Sequence, residues 1–261
     1  MLRSWGDFGA GPRLAVEPAR TVAVLATAAV EQHGPHLPLS TDSEIAAGLL
    51  RETGARLPDD LDIRLLPLQM VGKSNEHLHV AGTLTLPAEL ATALWVEIGL
   101  SVARAGVRKM VVVNSHGGNA DLISIAAREL RVRAGMLCVR CHWGAFGTPE
   151  GLFSAREREF GIHGGDYETS LMLHFRPDLV DMGAARDFAN SGEGAGLLRP
   201  TGPVGYGWIA ADVNPEGVAG EAHLATAEKG SLAAAHQAEG FAALLREVAA
   251  LDLSNFGAFG A

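Results

Sequence analysis

A chain of 261 residues with 48% hydrophobic content and a formal net charge of −9 is long enough to bury a large α/β core. It is too acidic to offer the basic face that a nucleic-acid partner requires. The pI near 5.5 and mean hydropathy of +0.14 fit a soluble enzyme on a buried parallel sheet, and no apolar stretch reaches the ~18 residues of a membrane helix. The opening residues Met1-Leu-Arg-Ser-Trp-Gly-Asp7 lack the apolar core of a secretory signal, so the expectation is cytoplasmic residence.

The first predicted element is a buried strand over 22–30, short, apolar and rich in small and β-branched residues. It runs directly into Glu31-Gln-His-Gly-Pro-His-Leu-Pro-Leu-Ser-Thr-Asp42. A helix is expected over 42–57 and a second strand over 63–71, followed by the loop Gly72-Lys-Ser-Asn-Glu-His77. Pro87 suits the first turn of a helix over 88–105 that stops near Gly106. A third strand spans 109–114 and ends in Ser115-His116-Gly-Gly-Asn119, with Asn119 a good N-cap for a helix over 119–134. The fourth strand, 136–143, carries Cys138 and Cys141; residues three apart on a strand face opposite sides, so they read as small apolar residues rather than a disulfide.

Beyond it, His163-Gly-Gly-Asp-Tyr-Glu168 opens a helix whose Met172, Leu173 and Phe175 face the core and which Pro177 stops. The stretch 183–220 is dense in Gly, Pro, Asn and Asp and reads as a loop excursion near the site or a subunit contact. An alanine-rich helix over 224–251 closes the chain. Strands alternating with helices predict βαβ units, hence one α/β domain over 1–261, a mostly parallel sheet flanked by helices in three layers.

Three segments place histidines and acids beside glycine turns at strand or helix ends. If the extended backbone continues past Val30, Glu31 and His33 project to the same side, at the carboxyl end of the strand where open sheets build sites. The alternative for Glu31 alone is a solvated turn. Carboxylate and imidazole donors together suit zinc, manganese or iron.

These segments resemble the creatininase (creatinine amidohydrolase) family. The resemblance rests on Glu31-Gln-His-Gly-Pro-His-Leu-Pro-Leu with Asp42, on Asn114-Ser-His-Gly-Gly-Asn119, on His163-Gly-Gly-Asp-Tyr-Glu-Thr-Ser170, and on Asp212-Val-Asn-Pro-Glu-Gly-Val-Ala-Gly220 with Ala225-Thr-Ala-Glu-Lys-Gly230. It implies two divalent metal ions, with Glu31, His33, His116 and a bridging Asp42 as ligands. In creatininase the residue two beyond the histidine matching His116 is a glutamate ligand; here it is Gly118. Glu168 is the candidate replacement and Asp166 a weaker one. The resemblance assigns His163 the role of proton donor to the leaving nitrogen, with Glu168 beside it in catalysis. His36, Glu76, His77 and Trp208 are candidates for orienting a ligand or touching substrate.

The activity so implied is hydrolysis of a C–N bond in a small amide, cyclic ones included, by a metal-activated water. Relatives act on creatinine, on formamides, or on a peptide precursor of a cofactor. Creatinine itself is not expected, because the aromatic residues that close over its ring before the catalytic histidine are reduced here to Phe160, with Trp143 and Trp208 elsewhere. Homo-oligomers, hexamers among them, are implied as well. Two other classes compete: a metal-binding scaffold without turnover, for which Gly118 speaks, and a dinuclear phosphoesterase, against which the lack of a phosphate-cradling loop speaks.

Overall fold

The computed structural model describes residues 2–257. Its centre is β2 (Val22–Thr27), whose six residues are all buried. Alternate side chains serve two cores: Val22, Val24 and Ala26 pack into one apolar cluster, Ala23 and Leu25 into the other. A strand covered on both faces has no use for polar alternation, which is why the run is uniformly apolar. β2 pairs in parallel with β4 (Lys109–Asn114), from Val22 opposite Lys109 to Thr27 opposite Asn114, and with β3 (Ile63–Leu65) on its other side. With β1 (Arg3–Ser4) and β5 (Leu137–His142) the five parallel strands follow the order β1-β3-β2-β4-β5.

Helices α1 (Thr41–Arg56), α5 (Asp166–Phe175) and α7 (Ala227–Ala250) cover one face through Ile45, Leu49, Leu171, Met172, Phe241 and Leu245. Helices α2 (Ala88–Arg104) and α3 (Ala120–Ala134) cover the other through Trp95, Val96, Ile123 and Leu130. The three-layer α/β/α arrangement expected from the sequence is the one observed. The small residues of α7 serve an intramolecular contact: Ala233, Ala234 and Ala242 are buried in the core, and a Cβ on Gly230 would stand 1.9 Å from the Ser170 carbonyl of α5. Among the described residues, no helix is long and apolar enough to cross a membrane.

Several boundaries differ from the sequence reading, each for a local reason. The expected strand over 63–71 ends at Leu65 because Pro67 has no N–H to give the ladder; the chain still runs beside β2, with the Gln69 N–H donating to the Ala26 carbonyl at 3.0 Å. The short helix α4 (Ala155–Phe160) was not anticipated, although Ser154 caps it by accepting from the Glu157 N–H, the start of a Ser-x-x-Glu signature. Cys138 and Cys141 are both free and pack into opposite cores, as alternation on β5 requires. Burial pushes both thiols up to about 12. The excursion over 183–220 holds only one helical turn, α6 (Ala210–Val213), and its end returns onto the centre of the molecule, where Ala219 pairs with His163.

Candidate metal centre

The chain leaves β2 for β3 on one side and later comes back to β4 on the other, so the strand order reverses at β2. At such a switch point the loops after the two strands part and leave a crevice. Glu31 and His33 lie on the loop after β2, and His116 on the loop after β4. Asp42 sits in the first turn of α1, while His163 and Glu168 straddle the start of α5.

These six side chains converge. One donor atom from each of Glu31, Asp42 and His116 lies within 4.8 Å of the others, and the same holds for His33, Asp42 and Glu168. Asp42 belongs to both triads and spans them: Oδ1 is 3.7 Å from His33 Nε2, Oδ2 3.6 Å from His116 Nδ1. His116 Nδ1 is also 3.1 Å from Glu31 Oε1, and His33 Nε2 is 3.9 Å from Glu168 Oε2. Glu31 Oε1, His33 Nε2 and Asp42 Oδ2 are buried without a hydrogen-bond partner among the described residues. Orphaned donors aimed at one another are what a bound cation would satisfy, so the residues fit divalent ions.

The imidazole tautomers agree with that fit. His33 Nδ1 meets the Glu31 carbonyl at 3.1 Å; a carbonyl only accepts, so Nδ1 bears the hydrogen and Nε2 offers its lone pair to the centre. His116 Nε2 donates to the Lys73 carbonyl at 2.9 Å, which leaves Nδ1 to face Glu31 and Asp42. Charge explains the rest. Burial opposes charging His33, yet Asp42, Glu168 and Glu31 raise it to about 9. Burial likewise opposes charging His116, but Glu31 and then Glu76 and Asp42 hold it well above the usual imidazole value. Burial and the Glu31 charge raise the Asp42 carboxyl. Glu31 is held well below the usual range, the histidines overcoming the effect of burial. Protons on the two imidazoles thus offset buried negative charge in the place where cations would do so.

His163 lies against this cluster with a different character. Its Nε2 donates to the Gln32 carbonyl at 2.7 Å, and its Nδ1 faces Glu31 Oε1 at 3.7 Å. Burial, then the His33 and His77 charges, lower it to about 3, so it is neutral with a free lone pair. His77 is oriented by Gln32, whose amide donates to His77 Nδ1 (2.7 Å) and to the Gly217 carbonyl (2.5 Å) while accepting from the Gly34 N–H. The hydrogen of His77 is therefore on Nε2, 3.6 Å from Glu31 Oε1. Burial lowers His77 to about 4.

Other residues singled out from the sequence fall around the centre. His36 Nε2 lies 3.0 Å from both the Gly164 carbonyl and Thr169 Oγ1, tying the first motif to the turn that carries Glu168. Trp208 lines a small cavity with His77 and His163. Glu168 stands with His33 and Asp42 and accepts from the Gly164 N–H at 2.6 Å; the carboxylate that lies against Gly118 is Glu76. Asp166 is committed elsewhere, to Lys229 (2.5 Å) and to the Ser170 hydroxyl (2.9 Å). Asn119 does not cap α3: its side chain donates to the Ala28 carbonyl and accepts from the Lys73 N–H, joining three loops.

Sequence reasoning passed over Gln32, whose signal was its place between Glu31 and His33, and Glu157. The buried Glu157 carboxylate accepts from the N–H groups of Tyr167 (3.1 Å) and Glu221 (2.8 Å), bracing the start of α5. Burial pushes it up to about 7. A groove of about 870 Å³ leads from the centre, lined by His116, His163, Glu168, His142, Arg158 and Thr201 among others.

An α/β sheet with convergent carboxylates and imidazoles at its switch point defines a candidate metal centre. The chain belongs to the creatininase family: the family model for creatinine amidohydrolase matches residues 12–245. It is 33% identical over 234 residues to the mycofactocin precursor peptide peptidase of Mycobacterium tuberculosis, covering 86% of this chain and 84% of that one. It is 31% identical over 176 residues to the creatinine amidohydrolase of Pseudomonas putida, covering 62% of this chain and 66% of that one. A manganese form of creatininase superposes with a TM-score of 0.74 at 26% identity, over 95% of this chain and 98% of that chain.

Proposed function

We propose that this creatininase-family hydrolase holds two divalent ions and cleaves a peptide amide bond, rather than the ring of a small cyclic amide. The observation that carries the reading is the pair of triads sharing Asp42 at the head of a groove of about 870 Å³. That volume lies within the range that holds a drug-sized ligand, so a substrate longer than a single ring fits. Similarity to a peptide peptidase over 86% of the chain supports the longer substrate.

Glu31, Asp42 and His116 would hold one ion and His33, Asp42 and Glu168 the other, as zinc, manganese or iron. When bound, such a pair would lower the pKa of a water held between the ions and polarise the amide carbonyl. His163, neutral with Nδ1 toward the centre, takes a proton from the attacking water and returns it to the leaving nitrogen. His77, its Nε2–H fixed by Gln32, faces Glu31 Oε1 and would orient that carboxylate toward its ion. The test is a panel of peptides, small cyclic amides and phosphate esters given to zinc- and manganese-loaded protein. Turnover of peptides above all others is expected; preference for creatinine or for phosphate esters overturns the reading.

The same centre sets a pH dependence. A cation must displace the protons on His33, raised to about 9, and on His116. Falling pH therefore favours the protonated, metal-free protein, and rising pH favours binding until His33 deprotonates unaided near 9. With at least one proton displaced per ion, apparent affinity should climb roughly tenfold or more per pH unit between pH 6 and 8. Chelator competition across that range checks this, and a flat profile contradicts it.

A homo-oligomer completes the proposal. The exposed Leu90, Leu94, Ile125 and Val132 of α2 and α3 beside a groove of about 580 Å³ support a contact there, since α7 is occupied within the chain. Light scattering should return a multiple of 27.3 kDa; a monomer at micromolar concentration contradicts it.

A further inference from the structure

A Cβ at residue 118 would lie 2.2 Å from Glu76 Oε1, 2.5 Å from His116 Nε2 and 2.5 Å from the Lys73 carbonyl oxygen. The Gly118 backbone is not in the left-handed region, so space rather than chain twist demands the glycine. What fills that space is the Glu76 carboxylate, whose side chain is 11% exposed. Its Oε1 stands 3.4 Å from His116 Nε2 and its Oε2 accepts from the Lys73 ammonium at 2.9 Å. Lys73 is itself fixed: its N–H donates to Asn119 Oδ1 at 2.9 Å, and its carbonyl accepts from His116 Nε2. The loop before α2 and the loop after β4 are thus wired together around a single imidazole. A ligating imidazole is steered by what its second nitrogen meets, and here that is one carbonyl and one carboxylate.

We propose that Glu76 is the positioning residue for His116, and that residue 118 is glycine to admit it. The carboxylate occupies the room a side chain at 118 would take and, beside the Lys73 carbonyl that accepts from Nε2, holds the His116 ring with Nδ1 toward Glu31 and Asp42. This rests on the dinuclear reading above. Two consequences distinguish it from general packing. Loss of Glu76 should weaken the ion held by His116 and spare the one held by His33 and Glu168. A methyl group at 118 should displace the Glu76 carboxylate while also pressing on the His116 ring and the Lys73 carbonyl, and so weaken the same ion although it removes no polar atom.

The experiment compares full-length wild type, Glu76→Ala, Glu76→Gln and Gly118→Ala. Each is loaded with zinc and titrated with chelator, metal content is read by elemental analysis, and the melting temperature of the metal-free protein is recorded. Glu76→Ala should lose one equivalent of zinc at a chelator concentration 10- to 100-fold lower than wild type, the usual effect of removing such a partner, with the second equivalent and the metal-free melting temperature unchanged. Gly118→Ala should lose the same equivalent and also melt lower when metal-free, because its methyl meets the Lys73 carbonyl. Glu76→Gln keeps an oxygen to accept from Nε2 and should lose less than tenfold. A Glu76→Ala protein that holds both ions as wild type does overturns the proposal, as does one that loses both together or melts far earlier. If wild type binds no zinc, the dinuclear reading falls by itself. The crystal structure of Gly118→Ala then decides the exclusion: Glu76 displaced from His116 supports it, and Glu76 unmoved overturns it.

Discussion

Asp42→Ala is expected to take the protein from two bound ions to none, the largest single effect of any substitution at the centre. Asp42 alone belongs to both triads, and its two oxygens face different imidazoles, 3.7 Å from His33 and 3.6 Å from His116. Removing it leaves each ion two protein donors, fewer than the three of a typical catalytic zinc site. The fold should survive. Burial and the Glu31 charge raise the Asp42 carboxyl, so its negative form is a burden on the metal-free protein and truncation relieves it. Glu168→Ala is the matched control, since it touches only the His33 triad and should release a single ion. Elemental analysis after loading reads both. An Asp42→Ala protein that keeps one full equivalent would show that the carboxylate does not bridge.

His163→Ala is expected to lose roughly 10²–10⁴-fold in turnover, the usual contribution of positioned acid–base catalysis, with metal content near wild type. The geometry makes this separation possible. His163 Nε2 is committed to the Gln32 carbonyl at 2.7 Å, its ring lies 4.1 Å from that of His33, and its Nδ1 reaches toward Glu31 without belonging to either triad that shares Asp42. The loss should shrink for an activated anilide, whose leaving group needs no proton. His116→Ala, by contrast, should deplete metal and abolish activity toward both substrates. Metal loss in His163→Ala would make it a ligand, for which the grouping of Glu31, His33 and His163 within 4.8 Å leaves room.

Much of this was legible in the sequence because it follows from local rules. Runs of apolar residues on β2 and β4 announced a sheet buried on both faces; α2 ends within a residue or two of its expected stop near Gly106, and α3 ends at Ala134 as its pattern put it. Glu31 and His33 reach the same centre, as extended backbone past Val30 implied. What escaped depends on contacts between distant segments. Nothing near Gln32 says that its amide will orient His77, because Gly217, its other partner, arrives on a loop from the far end of the chain. Gly118 looked like a missing donor when read by itself; only the folded chain shows Glu76 standing in its space. Asn119 is a residue type that caps helices, but two other loops, at Ala28 and Lys73, take up its amide instead. Glu157 sat in a short polar run whose capping signal was present and whose burial was not foreseeable.

The most direct test of the dinuclear account is a crystal structure of zinc- or manganese-loaded protein with anomalous scattering measured at the metal edge. The account predicts two peaks about 3.5–4 Å apart, one among Glu31, Asp42 and His116, the other among His33, Asp42 and Glu168, with the Asp42 carboxylate between them. A single peak, or two peaks that do not share Asp42, would contradict it.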